Sequence, residues 1–310
     1  MWNTLVSIFP YAIAYTIPML MTSLGGLYSE RSGVTNLGLE GLMLVGYFAS
    51  AITIKMTEAT LGVQALPLGL LVGVAAGAVF SLLHAFASIN LKADQVISGT
   101  AINMLAAALT VYLARTISGS GNVRILMGIV RKNIPMLSRV PIIGPLFFSQ
   151  TYWTTWLCLA IWALSWILLY KTSFGLRLRA CGEHPSAVAS AGINVHHMRY
   201  FGVAMSGALA GLGGSVILIT YSGEFSGTVA GLGFLSIAAL IFGQWKPLGI
   251  LGATFFFGIA TTIANVSQVI PSLAVIPPVF FKVFPYVATL IALVLFSKNS
   301  AAPKASGEPF

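Results

Sequence analysis

The sequence predicts an all-α polytopic membrane protein of about nine transmembrane helices, arranged as two inverted four-helix units joined by one extra helix. Three observations carry this expectation. Hydrophobic residues make up 57% of the 310-residue chain and charged residues 7%, with a mean hydropathy of +0.91, from which no water-facing surface can be built. Stretches free of Asp, Glu, Lys and Arg repeatedly reach the roughly 20 residues that a span requires. They lie at 1–29, 59–91, 95–114, 140–170, 200–223, 225–245 and 247–281. Finally, a polar, glycine-containing break recurs before the second helix of each half.

Taken in order, the expected helices are 8–28, 36–55, 66–90, 96–117, 151–170, 201–220, 230–243, 248–269 and 278–297. The first has no basic segment before it and no small-residue cleavage site after it, so it reads as mature structure. The second is interrupted only by Glu40, and the last carries Lys282 near one end, where its amine can snorkel to the interface. The GxxxG pairs Gly73/Gly77 and Gly207/Gly211 are expected to let helices approach closely.

This pattern divides the chain into a four-helix unit at 8–117, an extracytoplasmic loop at 118–150, a separating helix at 151–170, a cytoplasmic loop at 171–200, a second four-helix unit at 201–297 and a cytoplasmic tail at 298–310. The odd number of helices between the units makes them run in opposite directions. Basic residues favour the face bearing 171–200 as the cytoplasmic one, by a small margin. The N-terminus is then outside and the C-terminus inside.

The formal charge of +9 is scattered between apolar segments with no aromatic-basic face, so nucleic acid is not an expected partner; membrane lipid is. Cys158 and Cys181 have no CxxC or Cys/His spacing, and the four histidines form no metal box, so neither a disulfide framework, a metal nor a cofactor is expected. Asp94 is the only aspartate, no lysine follows a glycine, and there is no Gly-x-Ser-x-Gly or His-Glu-x-x-His. A hydrolytic or ATP-binding centre within this chain is therefore not expected.

The breaks fall at 29–33, Ser-Glu-Arg-Ser-Gly, and 222–227, Ser-Gly-Glu-Phe-Ser-Gly, and are followed by the related phrases Asn-Leu-Gly-Leu at 36–39 and Gly-Leu-Gly-Phe at 231–234. Paired breaks in inverted units point to a pathway at the repeat interface. Asn36 and Glu40 are four apart and share a helix face near a positive helix end. They either line a polar conduit or form a loop–helix junction in which Glu40 caps amides or pairs with Arg31. Ser98 and Asn103 suit interhelical bonds or contact with a polar solute. Together with Phe234 of the second phrase, these are the candidate substrate-pathway residues.

Residues 183–192 read as a short helix with Pro185 at its first position and Gly192 ending it. Its small side chains suit docking into a groove on another protein, or an interfacial helix lying under the membrane.

The phrases at 32–41 (Ser-Gly-Val-Thr-Asn-Leu-Gly-Leu-Glu-Gly) and 93–103 (Ala-Asp-Gln-Val-Ile-Ser-Gly-Thr-Ala-Ile-Asn), with the loop at 174–194, resemble the permeases of bacterial ABC importers for ribose, branched-chain amino acids and nucleosides. The phrase at 241–249, Ile-Phe-Gly-Gln-Trp-Lys-Pro-Leu-Gly, brings the resemblance closest to the shorter permease of the nucleoside and simple-sugar branch. The resemblance implies a location in the bacterial plasma membrane. It implies a second related permease, a cytoplasmic ABC ATPase that hydrolyses the ATP, and an extracytoplasmic solute-binding protein. It also implies that Glu183, His184, Pro185, Ser186, Ala187 and Val188 couple the chain to that ATPase. The competing expectation is an ion-coupled secondary transporter using Glu30, Glu40 and Glu224, or an ABC importer of the same type for a sugar or a branched-chain amino acid.

Overall fold

A computed structural model of the chain describes residues 2–266, 277, 279–281, 283, 284, 287, 291 and 302–310. The chain is helical almost throughout: α1 (Trp2–Arg31), α2 (Leu39–Leu61), α3 (Ala65–Ala85), α4 (Gln95–Ser118), α5 (Trp153–Lys171), α6 (Ser173–Glu183), α7 (Pro185–Ser190), α8 (Val195–Ile217), α9 (Leu232–Phe242) and α10 (Pro247–Val266). Among the described residues, six helical stretches are long and apolar enough to cross a membrane, and the longest of them, Leu39–Asn90, has 52 residues. That stretch is two helices, α2 and α3, folded back on each other through a short 3-10 turn, since the positions beside Gly69 are Ile54 and Ser50 and the position beside Gly73 is Gly46. The expected helix at 278–297, and the end of the one at 248–269, lie mostly outside the described residues.

The centre of the bundle is α8. Its glycines remove the side chains that would hold neighbouring helices apart, so backbone meets backbone on three sides. A Cβ at Gly207 or Gly211 would run into the carbonyl oxygens of Gly77 and Gly73 on α3, one at Gly214 into the carbonyl of Met43 on α2, and one at Gly213 into Thr22 and Pro18 on α1. The two GxxxG pairs read from the sequence thus meet each other. Close approach of this kind gives van der Waals contact where lipid offers no hydrophobic drive for helix association. Peripheral α4 and α5 leave large apolar side chains such as Leu105, Leu109, Leu164 and Ile167 exposed, as a lipid-facing surface requires.

Three local features depart from the sequence reading. The 171–200 segment holds two helices, α6 and α7, where one short piece was expected. Val123–Arg124 (β1) pairs antiparallel with Glu224–Phe225 (β2), because two loops at one end of the bundle satisfy each other's backbone groups. And α9, expected as a spanning helix at 230–243, has 11 residues. At about 1.5 Å per residue it is roughly 17 Å long, about half of a hydrocarbon core. It is a half-helix, entered by the loop that follows β2.

Candidate functional site

The two breaks come together. α1 ends at Arg31, the chain turns through Gly33 in the left-handed region (φ 95°), and α2 starts at Leu39. The loop after β2 turns through Gly231 (φ 78°) into α9. Between the two helix starts stands Glu40, whose carboxylate oxygens accept the backbone N–H of Gly231 at 2.9 Å and of Gly233 at 2.7 Å. A helix start leaves its first N–H groups without partners and carries positive partial charge, so a carboxylate is the group it favours most. Gly233 has no room for a side chain, since a Cβ there would strike the backbone of Glu40. Of the two readings of Glu40, amide capping describes the contact, with the difference that the amides belong to a helix nearly two hundred residues away. Arg31 pairs elsewhere, with Glu183 at 3.5 Å.

The start of α2 is held from two more sides. Asn36 is buried; its side-chain carbonyl accepts from Gly38 N at 2.9 Å and its amide donates to Ser206 Oγ on α8 at 2.9 Å. Asn103, reaching from α4, accepts from Gly41 N at 2.7 Å and donates to the Leu37 carbonyl at 2.9 Å. Both side chains therefore use an amide's two-sided chemistry to replace hydrogen bonds that the interrupted helix lacks. Ser98 lies one and a half turns earlier on α4 and bonds His84 Nδ1 at 2.9 Å, while His84 Nε2 meets the Thr35 carbonyl at 3.0 Å. Asn36, Glu40, Ser98 and Asn103 thus all bear on one chain segment, 35–41. Phe234 joins this network through its backbone, which bonds the Glu40 carboxylate, while its ring is half exposed.

The other membrane carboxylates are also engaged. Glu30 is buried and accepts from the Trp245 indole; Glu224 accepts from Asn122 Nδ2 at 2.7 Å beside the strand pair.

Next to the start of α9 is a cavity of about 520 Å³ that sequence reasoning missed. Its described walls come from Tyr15 on α1, Tyr47 on α2, Tyr221 and Ser222 just beyond α8, Ser226 to Ala230 in the loop, Leu232 and Leu235 on α9, Thr261 and Asn265 on α10, and Phe281. The loop wall is continuous with β2, so the cavity belongs to the half of the bundle that carries the 118–150 loop. Its signal in the sequence was only three tyrosines in apolar helices.

At the opposite end lies the 171–200 segment. Cys181, Val188 and Val195 form a small buried cluster that anchors α7 from beneath, and burial pushes the Cys181 thiol up from its usual range. The exposed residues of α7 include Ser186 and Ala187, with His184 exposed just before it. The tail at 302–310 packs alongside: Ala305 N donates to the Gly182 carbonyl at 2.8 Å, Ser306 and Thr35 hydroxyls are 3.0 Å apart, and Arg199 Nη1 donates to the Glu308 carbonyl at 3.0 Å. Between α7 and the tail is an open cleft bordered by Glu183, His184, Pro185, Ser186, Ala187, Lys304 and Glu308.

Comparison with known proteins places this architecture. The family described as "Branched-chain amino acid transport system / permease component" matches residues 8–293. The chain is 45% identical to the guanosine ABC transporter permease protein NupQ of Bacillus subtilis, over 98% of this chain and 96% of that protein. It is 44% identical to the nucleoside ABC transporter permease protein NupC of Lactococcus lactis, again over 98% and 96%. A second permease of the same L. lactis strain, the nucleoside ABC transporter permease protein NupB, is 25% identical over 93% of this chain and 79% of that protein. No solved structure matches the chain significantly. A polytopic bundle with broken helices at its centre, matched along nearly its whole length, belongs to the family of branched-chain amino acid transport system permease components.

Proposed function

We propose that this chain is one of two related permease subunits of an ATP-driven nucleoside importer. The observation that carries it is the 45% and 44% identity, over nearly the full chain, to permeases named for guanosine and nucleoside transport. The presence of a distinct, more distant relative in the same L. lactis strain supports pairing with a second permease rather than with a copy of itself. ATP hydrolysis then belongs to a separate cytoplasmic ATPase, and solute delivery to an extracytoplasmic binding protein.

In this reading the units at 8–117 and 201–297 are inverted repeats, and the chain crosses the membrane nine times, one crossing being completed by the half-helix α9 together with the loop that enters it. Loop 118–150 faces outside, with the N-terminus; 171–200 and the tail face the cytoplasm. Asn36, Glu40, Ser98 and Asn103 act on the pathway by fixing the two broken helix starts, and Phe234 borders it. The segment from Glu183 to Val188 meets the ATPase, with Ser186 and Ala187 forming the contact.

Uptake of labelled guanosine by right-side-out or reconstituted vesicles holding both permeases, the ATPase and the binding protein, with ATP on the side of the ATPase, tests the proposal. Import that needs ATP and stops with vanadate, but persists with an uncoupler, supports it. Import driven by an ion gradient through this chain alone overturns it.

A further inference from the structure

We infer that the tyrosine-lined cavity is a binding site within this subunit for one uncharged solute carrying both an aromatic ring and hydroxyl groups, a nucleoside in chemical class. The inference rests on the import reading above and goes beyond it, because a conduit filled by a binding protein needs no affinity of its own.

Three observations lead there. The volume, about 520 Å³, lies in the range of small-molecule sites, about 300–1,000 Å³. Tyr15, Tyr47 and Tyr221 supply aromatic surface, and the hydroxyls of Ser222, Ser226, Thr228 and Thr261 with the Asn265 amide supply donors and acceptors. This mixture of flat apolar faces and dispersed neutral polar groups matches a purine or pyrimidine joined to a sugar. Secondly, no Asp, Glu, Lys, Arg or His is among the described residues that line it. A free amino acid would bring an ammonium and a carboxylate against a described lining that offers a countercharge to neither, which is costly, and a nucleotide's phosphate would fare the same. Within a family described by amino-acid transport, the lining therefore selects against that class.

Thirdly, the Tyr221 hydroxyl is buried without a hydrogen-bond partner among the described residues. Its ring leans on Tyr15, centroids 4.7 Å apart, while the Tyr47 hydroxyl donates to the Glu224 carbonyl and lies in hydrogen-bond contact with the Ser222 hydroxyl. Buried polar groups are rarely left unpaired. A solute group entering the cavity would supply the missing bond.

The test uses the full complex of both permeases and the ATPase in nanodiscs, without the binding protein, and reads guanosine binding by thermal shift and by equilibrium dialysis. Wild-type complex is expected to bind guanosine saturably and to ignore leucine. Tyr221→Phe is expected to keep or raise the melting temperature of the empty complex, since it deletes an unpaired hydroxyl, and to weaken guanosine binding about tenfold. Asn265→Leu should weaken it as well. In Ser226→Cys the introduced thiol should be protected from a polar thiol reagent by guanosine. Absence of saturable binding in a complex that still imports guanosine with its binding protein overturns the site and leaves the import reading intact. Failure of the complete system to import guanosine at all overturns the import reading itself. Tighter binding of leucine than of guanosine overturns the assignment of solute class.

Discussion

Glu40, in the first turn of α2, caps the first turn of α9 through Gly231 and Gly233. One side chain thereby serves two helix starts, its own by position and the other by direct hydrogen bonds. Glu40→Ala leaves two N–H groups of α9 without an acceptor, and hydrogen bonds to a charged group contribute about 1.5–3 kcal/mol each. The expected result is a clear drop in melting temperature in detergent and loss of transport. Glu40→Gln keeps the shape and one acceptor oxygen, so it should fall between. Equal stability of Glu40→Ala and the parent would show that the cap does not hold α9.

Asn103 uses both ends of its amide on the α2 start. Asn103→Asp retains the acceptor for Gly41 and loses the donor to Leu37; Asn103→Leu loses both. Both variants should be less stable than the parent, each lost bond contributing about 1 kcal/mol and the Asp carboxylate adding repulsion from the Leu37 carbonyl, read by thermal unfolding of the purified complex. Asn103→Leu as stable as the parent would mean that the site tolerates an apolar filler and that the bonds are incidental.

The neighbours Ala187 and Val188 should behave differently. Ala187 is exposed, whereas Val188 packs against Cys181 and Val195. Ala187→Arg should leave expression and melting temperature near normal while releasing the ATPase or uncoupling solute-stimulated ATP hydrolysis. Val188→Arg should misfold the 171–200 segment, because it forces an unpaired charge among apolar side chains. If the Ala187→Arg complex pulls down its ATPase and transports like the parent, residues 183–188 are not the coupling element.

Glycines in the chain should separate by what surrounds them. A Cβ at Gly77 would strike the Gly207 carbonyl, whereas one at Gly252 on α10 meets open space. Gly77→Ala should cost several kcal/mol by forcing α3 and α8 apart, beyond the usual 1–3 kcal/mol or so of core overpacking. Gly252→Ala should be neutral or stabilise α10 by about 0.5–1 kcal/mol. Yield of folded protein by size-exclusion chromatography distinguishes the two.

The spans were legible because a membrane imposes one simple demand, length without charge, and α1, α3 to α5, α8 and α10 meet it openly, with α2 readable in spite of Glu40. The half-helix α9 was legible as a helix but not as a half-helix, since the uncharged stretch at 230–243 looks like a short span until its start is seen at Glu40. Asn36, Glu40 and Asn103 stood out as polar groups in apolar surroundings, but their partners did not, because Glu40 and Gly231 are joined by the fold and not by spacing. The helix α6 was hidden by Arg177 and Arg179, which break its apolar pattern. The tail's docking on Arg199 left no trace in a polar segment that reads as a solvated end. The cavity was invisible for the same reason: Tyr15, Tyr47, Tyr221 and Asn265 lie on four separate segments, each ordinary alone.

The backbone contacts among α1, α2, α3 and α8 have a mechanical consequence. Surfaces that meet with little side chain between them have little that can yield, so these four helices are expected to move as one block. If α7 couples the chain to an ATPase as proposed, its stroke would be taken up where side chains intervene, along α5 or at the loop into α9. The glycines thus decide which parts of the machine are chassis, and by elimination where its moving parts must lie.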